Sequence, residues 1–374
     1  MHLKVVLTTG VLLAISTVSI ESYAEEFLAK EINEPSSLIN YWTPERMKNA
    51  KEMPLPLVNK KNIQEAPMIE PSADKVESAD GAPPLDGNIA PQAQQLYMPD
   101  ILSKTSNLES KVANFDRGTF NYNYTSSRLV PLTADLTYPY RAVGKLFFTI
   151  PGQGDYVCSA SVLSQRIIVT AGHCLHKGSG GNAGFFTNWR FVPAFRDGAA
   201  PFQTWSSSYV MVTNTWATGN GTVPNAADYG MIELRDNTIN GSPSKIGSVT
   251  GYLGYQTQSL FPNHAHLLGY PCNFDSCQKM HQVTAQSARS VAPNNAEYGS
   301  DMTGGSSGGP WIQNFGAFAI GQTGGLNSGP NRIIGVTSYG YVSQDPKAQG
   351  SSIFDSRFTT LLNNICAHQA GNCS

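Results

Sequence analysis

The chain has 374 residues and a formal net charge of −2 at pH 7, because 25 lysines and arginines nearly balance 27 aspartates and glutamates. This balance excludes a basic protein that coats nucleic acid and a strongly acidic, disordered one. Charged residues make up only 14% of the chain, whereas glycine reaches 35 residues and tyrosine and phenylalanine 16 each. Such a composition favours a turn-rich β protein over a helical bundle.

Residues 1–24 have the pattern of a secretory signal. Lys4 precedes an apolar stretch over residues 5–20, and small residues follow at Ser22 and Ala24. A membrane anchor needs about 20 clean apolar residues, and threonine, serine and glycine interrupt this stretch. The sequence therefore predicts a cleaved signal peptide, a protein secreted to the periplasm or outside the cell, and no membrane span after cleavage.

Residues 25–128 differ in composition from the rest of the chain. They contain no cysteine and include proline-rich pieces at 54–56 and 82–84. Apart from a short helix around residues 44–52, few regular runs occur, which is typical of a linker, a disordered tail or a propeptide. A propeptide is the expected reading if an enzyme follows in residues 129–374.

The second half of the chain has the pattern of an all-β fold. Short runs rich in valine, isoleucine, phenylalanine and tyrosine alternate with turn residues, which predicts a sandwich or a barrel. Residues 354–367 alone carry apolar side chains at helical spacing and predict a C-terminal helix. The predicted strands cover residues 142–150, 156–163, 167–170, 209–214, 229–234, 266–270, 278–285, 309–313 and 333–338.

Three motifs in this half carry the residues of a nucleophilic site. TAGHC at 170–174 places His173 at the end of a strand, ADYG at 227–230 contains Asp228, and GGSSGGP at 304–310 centres on Ser307. A serine hydroxyl becomes a strong nucleophile when an imidazole takes its proton, and a carboxylate orients the imidazole. We expect Ser307, His173 and Asp228 to fill these roles, with the amides of Gly305 and Ser307 as an oxyanion hole.

In this order, the motifs resemble those of chymotrypsin-fold serine endopeptidases, and most of all the V8-like glutamyl endopeptidase branch. Further similar pieces are YPYRA at 138–142, GYLGY at 251–255, GYP at 269–271 and the DxxGGxSG pattern at 301–308. The resemblance runs from about residue 129 to the C-terminus. It implies two six-stranded antiparallel β-barrels, protein or peptide substrates, a monomer, and neither a metal nor an organic cofactor.

Other functions fit the motifs less well. The pattern around Ser307 also matches the nucleophile elbow of α/β-hydrolases, but in that fold the acid and the histidine follow the serine. His264, His266 and His281 lack any recognised metal spacing. A secreted binding module that has lost catalysis remains the alternative, although it would be expected to have lost one of the three site residues.

The six cysteines are expected to form disulfides after export. The resemblance implies a bridge between Cys158 and Cys174 that holds the histidine turn. Proximity in the sequence pairs Cys272 with Cys277 and Cys366 with Cys373, but six cysteines allow 15 connectivities and spacing does not choose among them.

Activation in this chain departs from the trypsin pattern. Trypsin-type precursors are activated when a new N-terminal amine pairs with an aspartate directly before the serine, and here that residue is Ser306. The V8-like pattern instead implies removal of a propeptide near the start of the barrel. Arg128 is a candidate processing site, as is the region of Arg117; the alternative is that Arg128 is an ordinary exposed basic residue.

Substrate specificity stays open between three preferences. The pocket is expected to involve Asp301, Met302 and Thr303, together with Thr337, Ser338 and Gly340 of the strand that pairs with the substrate. Asp301 has the spacing of an arginine- or lysine-binding aspartate. Glutamyl endopeptidases have a histidine where this chain has Thr337, so a glutamate preference is in doubt, and a small or apolar pocket is the third alternative.

Overall fold

The computed structural model describes residues 27–33, 41–67, 76–85, 94–99, 122–316, 329–343 and 346–373. The predicted signal peptide and the candidate processing site at Arg117 lie outside these ranges. Within them, no helix has the length and apolar character needed to cross a bilayer.

Six short strands and one helix form the regular part of the described N-terminal region. The predicted short helix begins after Thr43, whose side chain accepts a hydrogen bond from the Arg46 amide, and a proline occupies its first turn. The elements are β1 (Phe27–Glu31), α1 (Pro44–Asn49), β2 (Lys51–Glu52), β3 (Leu57–Val58), β4 (Ser78–Ala79), β5 (Gln94–Gln95) and β6 (Tyr124–Arg128).

The next strands form a closed barrel. Its elements are β7 (Val143–Ile150), β8 (Gly154–Val162), β9 (Ile167–Thr170), β10 (Thr187–Pro193), β11 (Ala199–Ala200), β12 (Trp205–Thr213), α2 (Asn214–Ala217) and β13 (Gly230–Leu234). Antiparallel pairing runs in the order β7, β8, β9, β13, β12, β10 and returns to β7. The valines, isoleucines and phenylalanines of these strands are buried inside the ring, which confirms the predicted six-stranded antiparallel barrel.

All but two of the remaining strands form a second, largely antiparallel sheet, and the other two pair only with each other. The elements are β14 (Asn237–Ile239), β15 (Ser242–Ser244), α3 (Ile246–Thr250), β16 (Gly254–Gln256), β17 (His264–Gly269), β18 (His281–Val291), β19 (Asn295–Gly299), β20 (Pro310–Gln313), β21 (Arg332–Val336), β22 (Tyr339–Tyr341), β23 (Ala348–Ser352) and α4 (Ser356–His368). Pairing follows the order β22, β23, β19, β18, β17, β20, β21. Only two residues separate β21 from β22, so the last strand in this order is joined to the first by a short connection. Among the described strands β21 and β23 share no ladder, so the pairing does not show this sheet closed into the predicted second barrel.

Helix α4 confirms the predicted C-terminal helix. Asp355 caps its N-terminus by accepting a hydrogen bond from the Arg357 amide. The apolar positions of the predicted stripe are buried, namely Phe358, Leu361, Leu362 and Ile365. Their spacing puts them on one face, so the helix packs against the barrel through that face.

Short 3₁₀ turns connect several of these elements. They lie at Lys60–Asn62, Leu132–Leu136, Tyr140–Ala142, Gly172–Cys174, Gly181–Gly184 and Asp275–Cys277.

Each described strand of the N-terminal region pairs with a strand of the C-terminal part. β1, β2 and β5 pair with β12, β8 and β11 on the side of the first barrel. β3, β4 and β6 pair with β22, β16 and β18 on the side of the second sheet. The N-terminal region therefore contacts both halves of the fold, and the stretch between β2 and β3 passes from one half to the other.

Candidate active site

His173 lies directly after a strand of the first barrel. β9 ends at Thr170, and Gly172–Cys174 forms a single 3₁₀ turn after it. A disulfide joins Cys174 to Cys158 on the neighbouring strand β8. The bridge ties the turn to the barrel, and His173 is only 3% exposed there.

Asp228 contacts His173 through two hydrogen bonds. β13 pairs with β9, with Gly230 opposite Thr170, so the residues before β13 lie beside the histidine turn. Oδ1 of Asp228 accepts the backbone amide of His173 at 2.8 Å, and Oδ2 lies 2.8 Å from the His173 Nδ1. A carboxylate in this position favours the tautomer with its proton on Nδ1, which leaves Nε2 as the basic nitrogen.

Two serines from the second sheet hold the buried Asp228 in place. Ser338 Oγ donates to Oδ2 at 2.6 Å, and Ser352 Oγ accepts the Asp228 amide at 3.0 Å. The carboxylate thus receives donors from both halves of the fold. A buried carboxylate needs such donors, because an unpaired one would carry a large desolvation cost.

Ser307 lies in the glycine-rich loop that precedes β20. Its carbonyl accepts the Ser159 amide at 2.8 Å, which attaches the loop to β8 of the first barrel. A Cβ at Gly308, where φ is +76°, would lie 2.0 Å from Thr170 Oγ1. Glycine is therefore required for the serine loop to approach the strand that leads to His173.

The hydroxyl of Ser307 and the Nε2 atom of His173 are buried. Within the described residues, neither Ser307 Oγ nor His173 Nε2 has a hydrogen-bond partner. Buried polar atoms are normally paired. An unpaired hydroxyl and an unpaired imidazole nitrogen from adjoining loops are expected at a site where a substrate completes the contacts.

The loop before Ser307 is held by neutral hydrogen bonds. Ser306 Oγ donates to the Thr303 carbonyl at 2.7 Å and accepts from Gln349 Nε2 at 3.0 Å. Gln349 also donates to the Met302 carbonyl at 2.9 Å. The position that would carry the activating aspartate in a trypsin-type enzyme is thus stabilised by a glutamine on β23.

A pocket lies next to this loop. The predicted residues Asp301, Met302, Thr303 and Gly340 line it, and so does Lys347. Two other predicted residues have different surroundings: the Ser338 hydroxyl donates to Asp228, and the Thr337 hydroxyl accepts the Trp311 indole N–H at 2.9 Å. Thr337 therefore contributes its side chain to the core of the second sheet.

A strand from the N-terminal region contacts the pocket residue Asp301. Ser126 on β6 donates to Asp301 Oδ1 at 2.8 Å and lies 2.7 Å from His281 Nε2. Burial, together with the nearby Arg128 charge, lowers the pKa of His281 to about 4. At neutral pH this imidazole is uncharged, so His281 does not neutralise Asp301. Glu52 and Lys347 are further ionisable residues that line the same pocket.

The structure contains three disulfides. They join Cys158 to Cys174, Cys272 to Cys277 and Cys366 to Cys373. The second bridge lies beside the pocket, where Asn273 donates to the Asp301 carbonyl and accepts from Thr303. Cys158, His173 and Cys174 cluster as metal ligands would, but their two sulfurs form a disulfide and offer no thiolate.

Several residues of the site carry no signal in the sequence. Ser352, Gln349 and Ser126 lie outside every motif, and each acts through hydrogen bonds that depend on the folded sheet. The predicted oxyanion-hole residue Gly305 has φ +87°, and its amide donates to the carbonyl of Met53 at 3.2 Å. Sequence analysis assigns Met53 to the propeptide and gives no reason to place it at the site.

Comparisons with known proteins agree with the motifs. The chain is 29% identical over 143 residues to the glutamyl endopeptidase of Bacillus licheniformis, over 37% of this chain and 39% of that protein. It is 28% identical over 188 residues to a Bacillus subtilis protein named extracellular metalloprotease, over 49% of this chain and 55% of that protein. The chain thus spans about half or less of the curated relatives it matches, and no family model matches it.

Solved structures include a protease named Anisep from Arthrobacter nicotinovorans. It is 29% identical, with coverage of 61% of this chain and 96% of that one, at a TM-score of 0.49. The similarity to the curated glutamyl endopeptidase confirms the resemblance predicted from the motifs.

Proposed function

We propose that this chain is a secreted serine endopeptidase made as a precursor. The observation that carries the proposal is the buried Asp228, which accepts both the amide and the ring Nδ1 of His173. This geometry supports His173 as a base toward Ser307, whose hydroxyl is buried and unbonded in the described part of the chain. The name of the Bacillus subtilis relative, an extracellular protease, supports secretion.

The reaction follows from the roles of these groups. Ser307 Oγ forms a bond to the carbonyl carbon of the substrate while its proton passes to His173 Nε2, and the oxyanion is held by the amides of Gly305 and Ser307. The C–N bond then breaks, and the proton on Nε2 passes to the leaving amine. Water attacks the acyl-enzyme through the same base and releases the acid.

A labelling experiment tests this assignment. The matured protein is incubated with a fluorophosphonate, and Ser307→Ala is treated in parallel. Labelling of the parent protein and none of the variant is expected. A binding module without catalysis would stay unlabelled, and a label that persists in Ser307→Ala would place the nucleophile elsewhere.

We propose that the substrates are peptides with arginine or lysine before the scissile bond. The pocket wall carries the Asp301 carboxylate, while the Thr337 hydroxyl is bound to Trp311. A substrate glutamate would face a like charge at Asp301, whereas a basic side chain would gain a charge-assisted hydrogen bond.

Cleavage-site profiling on a mixed peptide library measures this preference. Cuts after arginine and lysine are expected, with Asp301→Ser lowering kcat/KM for them by about 10²-fold or more, because a buried charge pair is lost. The activity toward substrates with alanine at that position serves as the control. Predominant cuts after glutamate would contradict the role of Asp301.

A further inference from the structure

A continuous stretch of the N-terminal region, residues 51–58, crosses the candidate active site. We call it the cleft segment. On the side of the first barrel, β2 pairs with residues 156 and 157 of β8, and the Met53 amide donates to the Val157 carbonyl at 2.9 Å. On the side of the second sheet, β3 pairs with β22.

The centre of the cleft segment occupies the positions of a substrate. The Met53 carbonyl accepts the amide of Gly305, one of the two oxyanion-hole donors, at 3.2 Å. Leu55 is only 8% exposed and lines the pocket beside Asp301 and Gly340. Farther along, the amides of Gly340 and Val342 donate to the carbonyls of Pro56 and Val58 at 2.9 and 3.1 Å.

The direction of the cleft segment is fixed by its two ladders. Both pairings are parallel, with Lys51 opposite Tyr156 and Val58 opposite Tyr341. The chain therefore enters along β8 of the first barrel, reaches the oxyanion hole at Met53, and leaves along β22 toward Tyr341.

A cleavable substrate would run the opposite way. Its acyl half, N-terminal to the scissile bond, would place its side chain in the pocket and pair with β22. Its leaving amine would lie near His173, which must protonate it. A substrate would thus approach the hole from Tyr341, run antiparallel to β22 and leave along β8.

We propose that the cleft segment is an autoinhibitor that binds the site in reverse and is therefore not cleaved. This rests on the proposed endopeptidase function and adds its regulation. In the reverse direction the nitrogen after the Met53 carbonyl belongs to Pro54, and the chain continues along the pocket wall and β22. That nitrogen lies where the acyl half of a substrate would lie, so His173 is not placed to protonate it.

The double substitution Met53→Arg and Pro54→Ala in the full chain tests the reverse direction, because it places a residue of the proposed preference before the bond and removes the proline after it. A proline directly after the carbonyl of residue 53 would itself hinder cleavage of that bond. Alanine at position 54 removes this protection, so that only the direction of binding protects the bond. We expect the bond between residues 53 and 54 to stay intact, as read by intact mass and terminal sequencing. A cut at this bond would show that the segment binds as a substrate does and would overturn the proposal.

A matched pair of variants tests inhibition. In the full-length precursor, Leu55→Asp buries a charge in the pocket, whereas Leu57→Asp makes the same change at a second pocket-lining residue that is 54% exposed, so that its carboxylate stays in water. Fluorophosphonate labelling of the uncut chain is expected to rise about tenfold or more for Leu55→Asp, since burial of a leucine is lost. It is expected to change little for Leu57→Asp. Equal labelling of the two variants and the parent would refute inhibition by the segment.

A measurement without catalysis separates this proposal from the proposed function. Hydrogen exchange is followed by mass spectrometry in the full chain carrying Ser307→Ala. Peptides that contain the amides of Met53, Gly340 and Val342 are expected to lose protection in Leu55→Asp and keep it in Leu57→Asp. If no variant is labelled yet protection changes in this way, the failure lies in the catalytic assignment. If protection does not change, the cleft segment is not bound as described.

Discussion

The Asp228 carboxylate is in hydrogen-bond contact with three groups from two different parts of the chain. His173 contributes its amide and its ring, and Ser338 contributes its hydroxyl. Asparagine has the same shape as aspartate and would keep most of this packing, but it carries no charge. Its side-chain NH₂ would point at groups that donate hydrogen bonds, and the imidazole of His173 would then adopt the other tautomer.

The variant Asp228→Asn is therefore expected to fold normally and to lose about 10⁴ in kcat, as is typical when the wrong tautomer faces the serine. Turnover of the matured variant on a peptide substrate measures the effect, and its thermal midpoint serves as the control for folding. Activity within about tenfold of the parent would remove Asp228 from the mechanism.

Lys145 is a second residue whose burial has consequences. Its Nζ donates to the Cys277 carbonyl at 3.0 Å and lies 4.5 Å from the centre of the Phe195 ring. Burial lowers the pKa of this ammonium to about 7 from its ordinary value of 10.5. Between these values the unfolded chain binds the extra proton, so stability from this group rises with pH across that window.

We expect Lys145→Met to raise the thermal midpoint by about 5 °C at pH 6 to 7, because it removes a charge that is costly to bury. The gain should shrink as the pH rises from about 7 to 10.5, and well above 10.5 the lysine is neutral in both states. Calorimetry over this pH range measures the effect, with the exposed Lys177→Met as control. A gain that grows with pH would contradict a buried ammonium.

At the scale of elements, β6 belongs to the body of the fold. It pairs with β18 over five residue pairs, and its Ser126 donates to Asp301. Just before it, the Tyr122 hydroxyl donates to the buried Glu297. If the chain were cut at Arg128 and β6 were released, β18 would lose its partner strand and Asp301 would lose the hydrogen bond from Ser126.

The mature enzyme is therefore expected to begin before Tyr122, so the boundary of the propeptide lies earlier in the chain than residue 128. N-terminal sequencing of the matured protein measures this directly, with Arg128→Gln as a variant that should mature normally. Arg128 forms a bidentate ion pair with Asp275, so a conservative uncharged replacement is the appropriate change. A mature chain that starts at Leu129 would contradict the expectation.

At the scale of the whole molecule, the sequence predicts what depends on local pattern. Strands rich in valine and isoleucine, such as β9 and β13, were predicted within one residue of their bounds, as was the apolar stripe of α4. The motifs around His173, Asp228 and Ser307 come from the same kind of local signal. Each of these features is complete within about ten residues of chain.

Other parts of the fold depend on contacts distant in sequence and carry no such signal. β23 consists of small or polar residues, and β19 adds to such residues a single aromatic one, Tyr298, yet every residue of both strands is buried. Their stability comes from neighbouring strands, so composition did not predict them. β23 supplies Gln349 and Ser352, which explains why two supports of the site were missed together.

The covalent link between the cleft segment and the rest of the chain also sets how its inhibition depends on dilution. While the chain is uncut, the segment competes with substrate at an effective concentration that is independent of the protein concentration. Once the chain is cut between the segment and Tyr122, the same contacts become a bimolecular equilibrium. Activity per molecule should then rise on dilution of the cut protein and stay constant on dilution of the uncut one. A dilution series read with the fluorophosphonate distinguishes the two states, and secretion into a large volume would itself favour release.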